Sequence, residues 1–185
     1  MPKLYSKSGD DGTTNLLGEG RVHKFDLRPQ AIGAVDEASA ALGLARGLTQ
    51  SAQISSLCES VQRDLYHLMA ELAAVGDAAE RFRAIDAGRV AWLEQEIDAI
   101  SEEVKPPTDF VIFGEHPSAA ALDLARATVR RAERCVVRLF YEDQVENDQL
   151  LAYLNRLSSL CFILALWENQ LCGLDDPNLA KTGRI

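Results

Sequence analysis

This 185-residue sequence predicts an all-α fold, a five-helix up-and-down bundle, on three observations. Apolar residues recur at alternating three- and four-residue steps over long stretches, the spacing of one buried helix face. The intervals between those stretches carry Gly, Pro and polar runs that stop helices. With 47% hydrophobic residues, 12 Gly and 6 Pro, the chain has enough apolar side chain for one sizeable core and too few breakers for a disordered one.

The elements follow in order. Residues 1–27 contain the run SKSGDDGTTN, rich in Gly, Ser, Thr and Asp with only short apolar runs such as Leu16-Leu17 or Val22, and contribute little core. The stretch 28–46 is helical in composition, with Pro29 suited to a first turn and Ile32, Val35, Leu42 and Ala45 on one side; Gly47 marks its end. Ile54, Cys58, Val61, Leu65, Leu68, Leu72 and Val75 form the seam of the second helix, which Gly76-Asp77 ends. Val90, Leu93, Ile97, Ile100 and Val104 define the third, ended by Pro106-Pro107. Leu122, Ala125, Val129, Ala132, Val136 and Leu139 define the fourth, and Leu150, Leu154, Leu157, Cys161 and Leu164 the fifth, with the polar stretch 142–148 between them. The reading is a single domain: a loop segment over 1–27, the bundle over 28–172 and a tail over 173–185. Residues 108–117, TDFVIFGEHP, are a short apolar run between turn-formers, and such ordered segments outside the core are where function tends to reside.

Charge narrows the function classes. Asp and Glu number 28 against 19 Lys and Arg, a formal charge of −9, which argues against a general nucleic-acid binder and against adhesion to an anionic membrane surface. No apolar run reaches the roughly 18 residues of a membrane helix, and the N-terminal MPKLYSKSGDDG has no apolar stretch of the signal-peptide kind, so a soluble cytoplasmic protein is expected. The four cysteines, Cys58, Cys135, Cys161 and Cys172, are far apart with no CxxC or CxxH pairing; at least three are expected to be buried thiols. His23, His67 and His116 are scattered, and His67, inside the second helix, is expected to be partly buried.

Two segments carry candidate chemistry. Ser8 to Asn15 has two glycines that let backbone N–H groups converge and, with Ser6, Ser8, Thr13 and Thr14, the makings of an anion nest, while Lys7 and Lys24 add positive charge. It lacks Walker spacing, and a flexible N-terminal tail is the alternative. Five arginines, Arg126, Arg130, Arg131, Arg134 and Arg138, fall within 13 residues whose only acid is Glu133. A solvated helix face is the bland reading; the other is a local anionic partner, because guanidinium forks match phosphate oxygens. Glu133 would then orient an arginine or approach Mg²⁺, which bridges carboxylates and phosphates. Asn155-Arg156 interrupts the apolar fifth helix, Asn155 being either a satisfied core amide or a site residue. Phosphate-binding parts without an evident protein nucleophile suggest transfer between two bound small molecules.

The runs LYSKSGDDGTTNLLGEGRVHKFDLRPQAIGAVDEASAALGLAR, AAALDLARATVRRAER and YLNRLSSLCFILA resemble three signatures of the PduO-type ATP:cob(I)alamin adenosyltransferases, in the family's order. The resemblance extends over essentially the whole chain; residues 50–105 match only as amphipathic helix. It implies a homotrimer with sites at subunit interfaces, and transfer of the 5′-deoxyadenosyl group of ATP to cob(I)alamin, giving adenosylcobalamin and triphosphate. By motif position it implies that Ser6, Lys7, Ser8, Gly9, Thr14, Asn15 and Lys24 wrap the polyphosphate. Arg130, Arg131 and Arg134 would bind the nucleotide, Glu133 would sit by Mg²⁺, and Asn155 would contact ATP. Asp36 of AVDEAS and Arg126 match a pair that meets across the subunit interface and supports cobalamin binding. Phe110 matches an aromatic that packs under the corrin and keeps the lower ligand off cobalt. Arg126, Arg130, Glu133 and Asp36 are thus the residues expected to act in turnover. A corrinoid reductase and an adenosylcobalamin-dependent enzyme are the implied partners.

The sequence departs from the family pattern in places. Phe113-Gly114-Glu115-His116 replaces a Pro-Gly-Gly type turn, Asp123 stands where a histidine is common and is positioned to compete with Asp36 for Arg126, and Ser159 and Leu166 replace an Asp and an Arg. These changes fall nearer the expected corrin side. The alternative is a non-catalytic trimeric module that binds ATP or cobalamin for delivery or sensing. A purely structural helical oligomer would leave the loop and the arginine face without a purpose.

Overall fold

In a computed structural model describing residues 4–18 and 20–181, five long helices carry the core. They are α1 (Leu27–Leu48), α2 (Ala52–Ala73), α4 (Ala87–Glu103), α5 (Pro117–Tyr141) and α6 (Gln149–Leu171), with a single turn, α3 (Ala78–Arg81), between α2 and α4. Ahead of them β1 (Thr13–Asn15) and β2 (Arg21–His23) form a small antiparallel ribbon. The hairpin and α3 are the elements the sequence pattern does not reveal, since segments of three or four residues are too short to show a repeated apolar pattern. Residues 182–185, part of the expected tail, lie outside the described residues.

Burial follows the seams. Every seam residue of α5 (Leu122, Ala125, Val129, Ala132, Val136, Leu139) and of α6 (Leu150, Leu154, Leu157, Cys161, Leu164) is buried. In α2 the seam from Ile54 to Leu72 is buried and Val75, past the helix end, is half-buried. α1 buries Ala31, Ala34, Ala38, Ala41 and Ala45 besides Val35 and Leu42, and α5 answers with Ala121, Ala125 and Ala132, so small side chains let these two helices pack closely. The packing runs α2 against α1, α1 against α5, α5 against α6, and α6 against α4, so α5 is held on both sides and presents a narrow outward face.

Local chemistry sets the ends. Ser51 caps α2, its hydroxyl accepting from the Ile54 N–H at 3.3 Å, and Asp86 caps α4, accepting from the Arg89 N–H at 2.8 Å. Gly47 does not end α1, which continues to Leu48 and stops at the extended Thr49. The tertiary contact of α1 with α5 outweighs the roughly 1 kcal/mol cost of one helical glycine. The polar stretch after α5 is pinned rather than loose: Asn147, 8% exposed, donates to Glu71 Oε1 at 2.7 Å and to the Ile85 carbonyl at 2.9 Å. Arg28, its pKa lowered by burial, donates to the Leu72 carbonyl at 2.6 Å, to Ala74 at 3.2 Å and to Gln144, tying α1 to the ends of α2 and α5.

Three expectations are corrected. Only Cys58 and Cys161 are buried; Cys135 is half-buried and Cys172, just past α6, is exposed. His67 is exposed beside Tyr66, because position 67 lies off the α2 seam. Leu166 belongs to the core, 6% exposed, so that departure from the family pattern is a packing change, whereas Ser159 is exposed. By length and composition α6 could cross a membrane, but its apolar residues are the centre of the bundle, packed on α4 and α5.

Candidate functional site

The N-terminal segment folds into a cup of about 390 Å³ lined by Ser6, Lys7, Ser8, Gly9, Asp10, Thr13, Thr14, Asn15, Arg21 and Lys24. All seven loop residues expected from sequence are in that lining. Local strain and close contact shape it. Lys7 sits at φ 58°, a left-handed conformation that costs a non-glycine residue energy and turns the chain sharply. At Gly9 the approach is close: a Cβ there would meet Lys24 Nζ at 2.9 Å and the Thr13 carbonyl at 3.2 Å, so the lysine end would have to shift. Without that side chain Lys24 donates to the Gly9 carbonyl at 2.7 Å and closes the cup.

Arg21 holds the two sides of the cup together, a role the sequence reading did not give it. Opposite Asn15 in the ribbon, it shares a face with Thr13 and Asn15. Its guanidinium donates to the Ser8 carbonyl at 2.5 Å, to Thr13 Oγ1 at 2.9 Å through Nε, to Asn15 Oδ1 at 3.0 Å and to Asp11 at 3.3 Å. Asp11 receives the Thr13 hydroxyl at 2.7 Å and the Thr13 N–H at 2.9 Å. Those bonds, hydroxyl first, with Arg21 adding charge, hold the Asp11 carboxyl below the usual carboxylate range. The ribbon is anchored where Leu17 exchanges backbone bonds with Ala73 and Val75 at 2.8 and 2.9 Å, just past α2.

A second constellation lies along α5. Arg131 pairs with Glu37 of α1, Arg126 with Asp123 at 2.7 Å, and Arg138 with Glu142 at 4.0 Å, while Arg134 folds back onto the Arg130 carbonyl at 2.9 Å. The Arg130 guanidinium is exposed and has no such partner among the described residues. Glu133 accepts from Asn155 Nδ2 at 3.0 Å across the α5–α6 groove, and Asn155 in turn accepts from Arg156 at 3.1 Å. Asn155 is therefore exposed and engaged with Glu133, which removes the core-amide alternative.

A separate cavity, about 520 Å³, is lined by residues 107–111 with Phe113, Asp123, Arg126 and Phe162. Phe110 lies on its wall with 79% of its surface exposed, and Phe113 is held edge-on to Phe162 at 6.0 Å. Behind Phe110 the tail folds back. Ile112 N–H donates to the Asn178 carbonyl and Ala180 N–H to the Phe110 carbonyl, both at 2.8 Å, and Lys181 pairs with Asp109 at 3.4 Å. Within one chain Arg126 is taken by Asp123, and Asp36 is exposed on α1, outside this cavity. Nor does any hydrogen bond or ion pair among the described residues join the cup to Arg130, Glu133 or Asn155. The structure thus brings together the loop residues in one place, Glu133 with Asn155 in another, and Phe110 with Arg126 in a third.

The arrangement offers an anion cup, a cationic helix face and an apolar cavity with an exposed aromatic, which suits a polyanion and a large flat apolar ligand. Comparison with known proteins agrees. The family model described as cobalamin adenosyltransferase matches residues 4–168. The corrinoid adenosyltransferase of Bacillus subtilis is 34% identical over 187 residues, covering 99% of this chain and 95% of that one. A corrinoid adenosyltransferase of Citrobacter freundii is 34% identical, covering 91% of this chain and 96% of the other. The chain spans about half the length of a further relative, the corrinoid adenosyltransferase PduO of Citrobacter freundii, to which it is 37% identical over 167 residues. A solved variant of the PduO-type ATP:corrinoid adenosyltransferase from Lactobacillus reuteri, complexed with cobalamin and ATP, superposes with a TM-score of 0.89 at 33% identity and covers 98% of both chains.

Proposed function

The chain belongs to the cobalamin adenosyltransferase family, and on that premise we propose that it transfers the 5′-deoxyadenosyl group of ATP to the cobalt of cob(I)alamin. The observation that carries this reading is the coexistence, in one chain, of the lysine- and hydroxyl-lined cup, the exposed Arg130 and the Phe110 cavity. Reduced cobalt is the nucleophile: the Co–C5′ bond forms as the C5′–O bond breaks, and the electron pair leaves with triphosphate. The chain's own residues then have three tasks.

The first is to hold the polyphosphate. Ser6, Lys7, Ser8, Gly9, Thr14, Asn15 and Lys24 present N–H, hydroxyl and ammonium donors around the cup, while Arg21 keeps its two sides at a fixed separation. The second is to stabilise charge on the leaving group, for which Arg130, with Arg131 and Arg134, provides rigid guanidinium donors from a helix clamped on both sides. Glu133 fits Mg²⁺, since one carboxylate oxygen with phosphate and water oxygens satisfies a hard octahedral ion; that ion would neutralise phosphate charge, and Asn155 orients the carboxylate. The third task is to keep water and the lower corrin ligand from cobalt, which an exposed aromatic such as Phe110 performs by filling apolar space.

The family resemblance implies a homotrimer in which each site takes the loop of one subunit and the α5 face of the next, and among the described residues no hydrogen bond or ion pair ties the two together within one chain. Exposed Asp36 would then be free to meet Arg126 of a neighbour in competition with Asp123, and these residues, with Phe110, would bind cobalamin. The expected setting is the cytoplasm, with a corrinoid reductase supplying cob(I)alamin and an adenosylcobalamin-dependent enzyme consuming the product. The test mixes protein, ATP, Mg²⁺ and chemically reduced cobalamin and follows the corrin spectrum. Adenosylcobalamin should form, and Arg130→Ala should lower kcat/KM by on the order of 10² or more. ATP binding without adenosylcobalamin would establish the non-catalytic module instead.

A further inference from the structure

Glu168 is buried to 2% exposure near the C-terminal end of α6, yet among the described residues its carboxylate is met only by two neutral hydroxyls. Thr49 donates to Oε2 at 2.7 Å and Ser118 to Oε1 at 2.5 Å. No lysine or arginine pairs with it among the described residues. A carboxylate removed from water to this degree is costly unless a cation compensates it. Beside it stand His116, the residue preceding α5, and Cys172, the residue following α6. One ring nitrogen of His116, the Cys172 sulfur and a Glu168 oxygen all lie within 4.8 Å of one another.

We infer that His116, Glu168 and Cys172 bind one Zn²⁺ ion, which fastens the Phe110 segment and the C-terminal tail to the end of α6. Nothing in the adenosyl-transfer reading uses these three residues, and the inference stands apart from it. The donor set decides the metal. A nitrogen, an oxygen and a thiolate suit zinc, whereas Mg²⁺ and Ca²⁺ favour oxygen alone. Zinc bonds of about 2.0–2.3 Å in a tetrahedron put donor atoms roughly 3.3–3.8 Å apart. The exposed Cys172 can close the remaining gap by rotating about χ1, and water takes the fourth position.

The surrounding groups already orient the ligands. Ser118 Oγ lies 2.6 Å from His116 Nδ1 while donating to Glu168, so one hydroxyl links two ligands, and Thr49 holds the other carboxylate oxygen. Position gives the ion a consequence. The segment ending at His116 and the tail beginning at Cys172 pair with each other at Val111 and Leu179. A metal at their common root closes a ring of backbone around the wall that carries Phe110.

The test uses the full chain, freed of metal with chelator under reductant. Zn²⁺ is titrated against a chromophoric chelator, and Co²⁺ is used as an optical probe. One equivalent of zinc per chain should bind, and the cobalt form should show a thiolate-to-cobalt charge-transfer band. Cys172→Ser, at an exposed position, should fold normally by circular dichroism, lose the band and lose competitive zinc binding. Ser118→Ala should weaken affinity by about 10- to 100-fold. Failure of the wild-type chain to compete for zinc, or a band or affinity unchanged in Cys172→Ser, would overturn the assignment.

Discussion

Replacing Arg21 by methionine keeps the length and apolar stem of the side chain and removes its five donors. Four oxygens lose a partner: the Ser8 carbonyl, Thr13 Oγ1, Asn15 Oδ1 and Asp11. The three neutral acceptors are each worth about 0.5–1.5 kcal/mol in net terms, and the side chain is 40% exposed, so water recovers part of that. Roughly 1.5–2 kcal/mol remains, which lowers the equilibrium constant for forming the cup by about 10- to 30-fold and raises the apparent Kd for ATP by up to the same factor. A two-stranded ribbon has little stability of its own to offset the loss. Calorimetric titration with ATP and Mg²⁺ measures the Kd, and steady-state kinetics should show a raised KM with kcat within about threefold. Arg21→Lys decides how the effect arises, since lysine restores the charge but not the fork. An unchanged KM in Arg21→Met, or near-full recovery in Arg21→Lys, would refute the bracing role.

Phe110→Ala should spare both folding and ATP affinity, because the ring is exposed and outside the cup, while damaging adenosylation of cobalt; an equal loss of ATP affinity would move Phe110 out of the corrin cavity. The Asp11 carboxyl is held below its ordinary value of 3.8, so its contribution to the cup is complete above 3.8 and disappears only as pH falls through the lower folded value. Protection of the Thr13 amide, followed by hydrogen exchange corrected for intrinsic rates, should stay level from about pH 7 to about pH 5. A decline already complete at about pH 5 would contradict that bond pattern.

The seams show how much of the fold was legible. Val129, Val136 and Leu139 could be placed in the core from spacing alone, since a residue's place on a helix face depends on its position modulo 3.6 and on nothing distant. Gly47 illustrates where that reading fails, because whether a helix tolerates glycine depends on what packs against it. The site divides similarly. That Lys7, Gly9 and Lys24 share one loop cup was readable because they lie within 18 residues of one another. Arg21 was not, because its importance comes from strand register, which an exposed three-residue strand scarcely encodes.

By itself, then, the amino-acid sequence determined the helical bundle, the acidic exterior with a cationic segment on α5, and the family signatures around the loop, Arg130 and Asn155. Each is a matter of residue type at short spacing. Only the tertiary structure decided that Arg126 is held by Asp123, that residues 178–180 pair with the segment carrying Phe110, and that Glu168 is buried beside His116 and Cys172. The physical reason differs by case. Asp123 and Asp36 both have the charge to hold Arg126, and only geometry selects between them. Glu168 and His116 are 52 positions apart, and the free energy of bringing such groups together resides in the packing of α5 on α6 rather than in either segment.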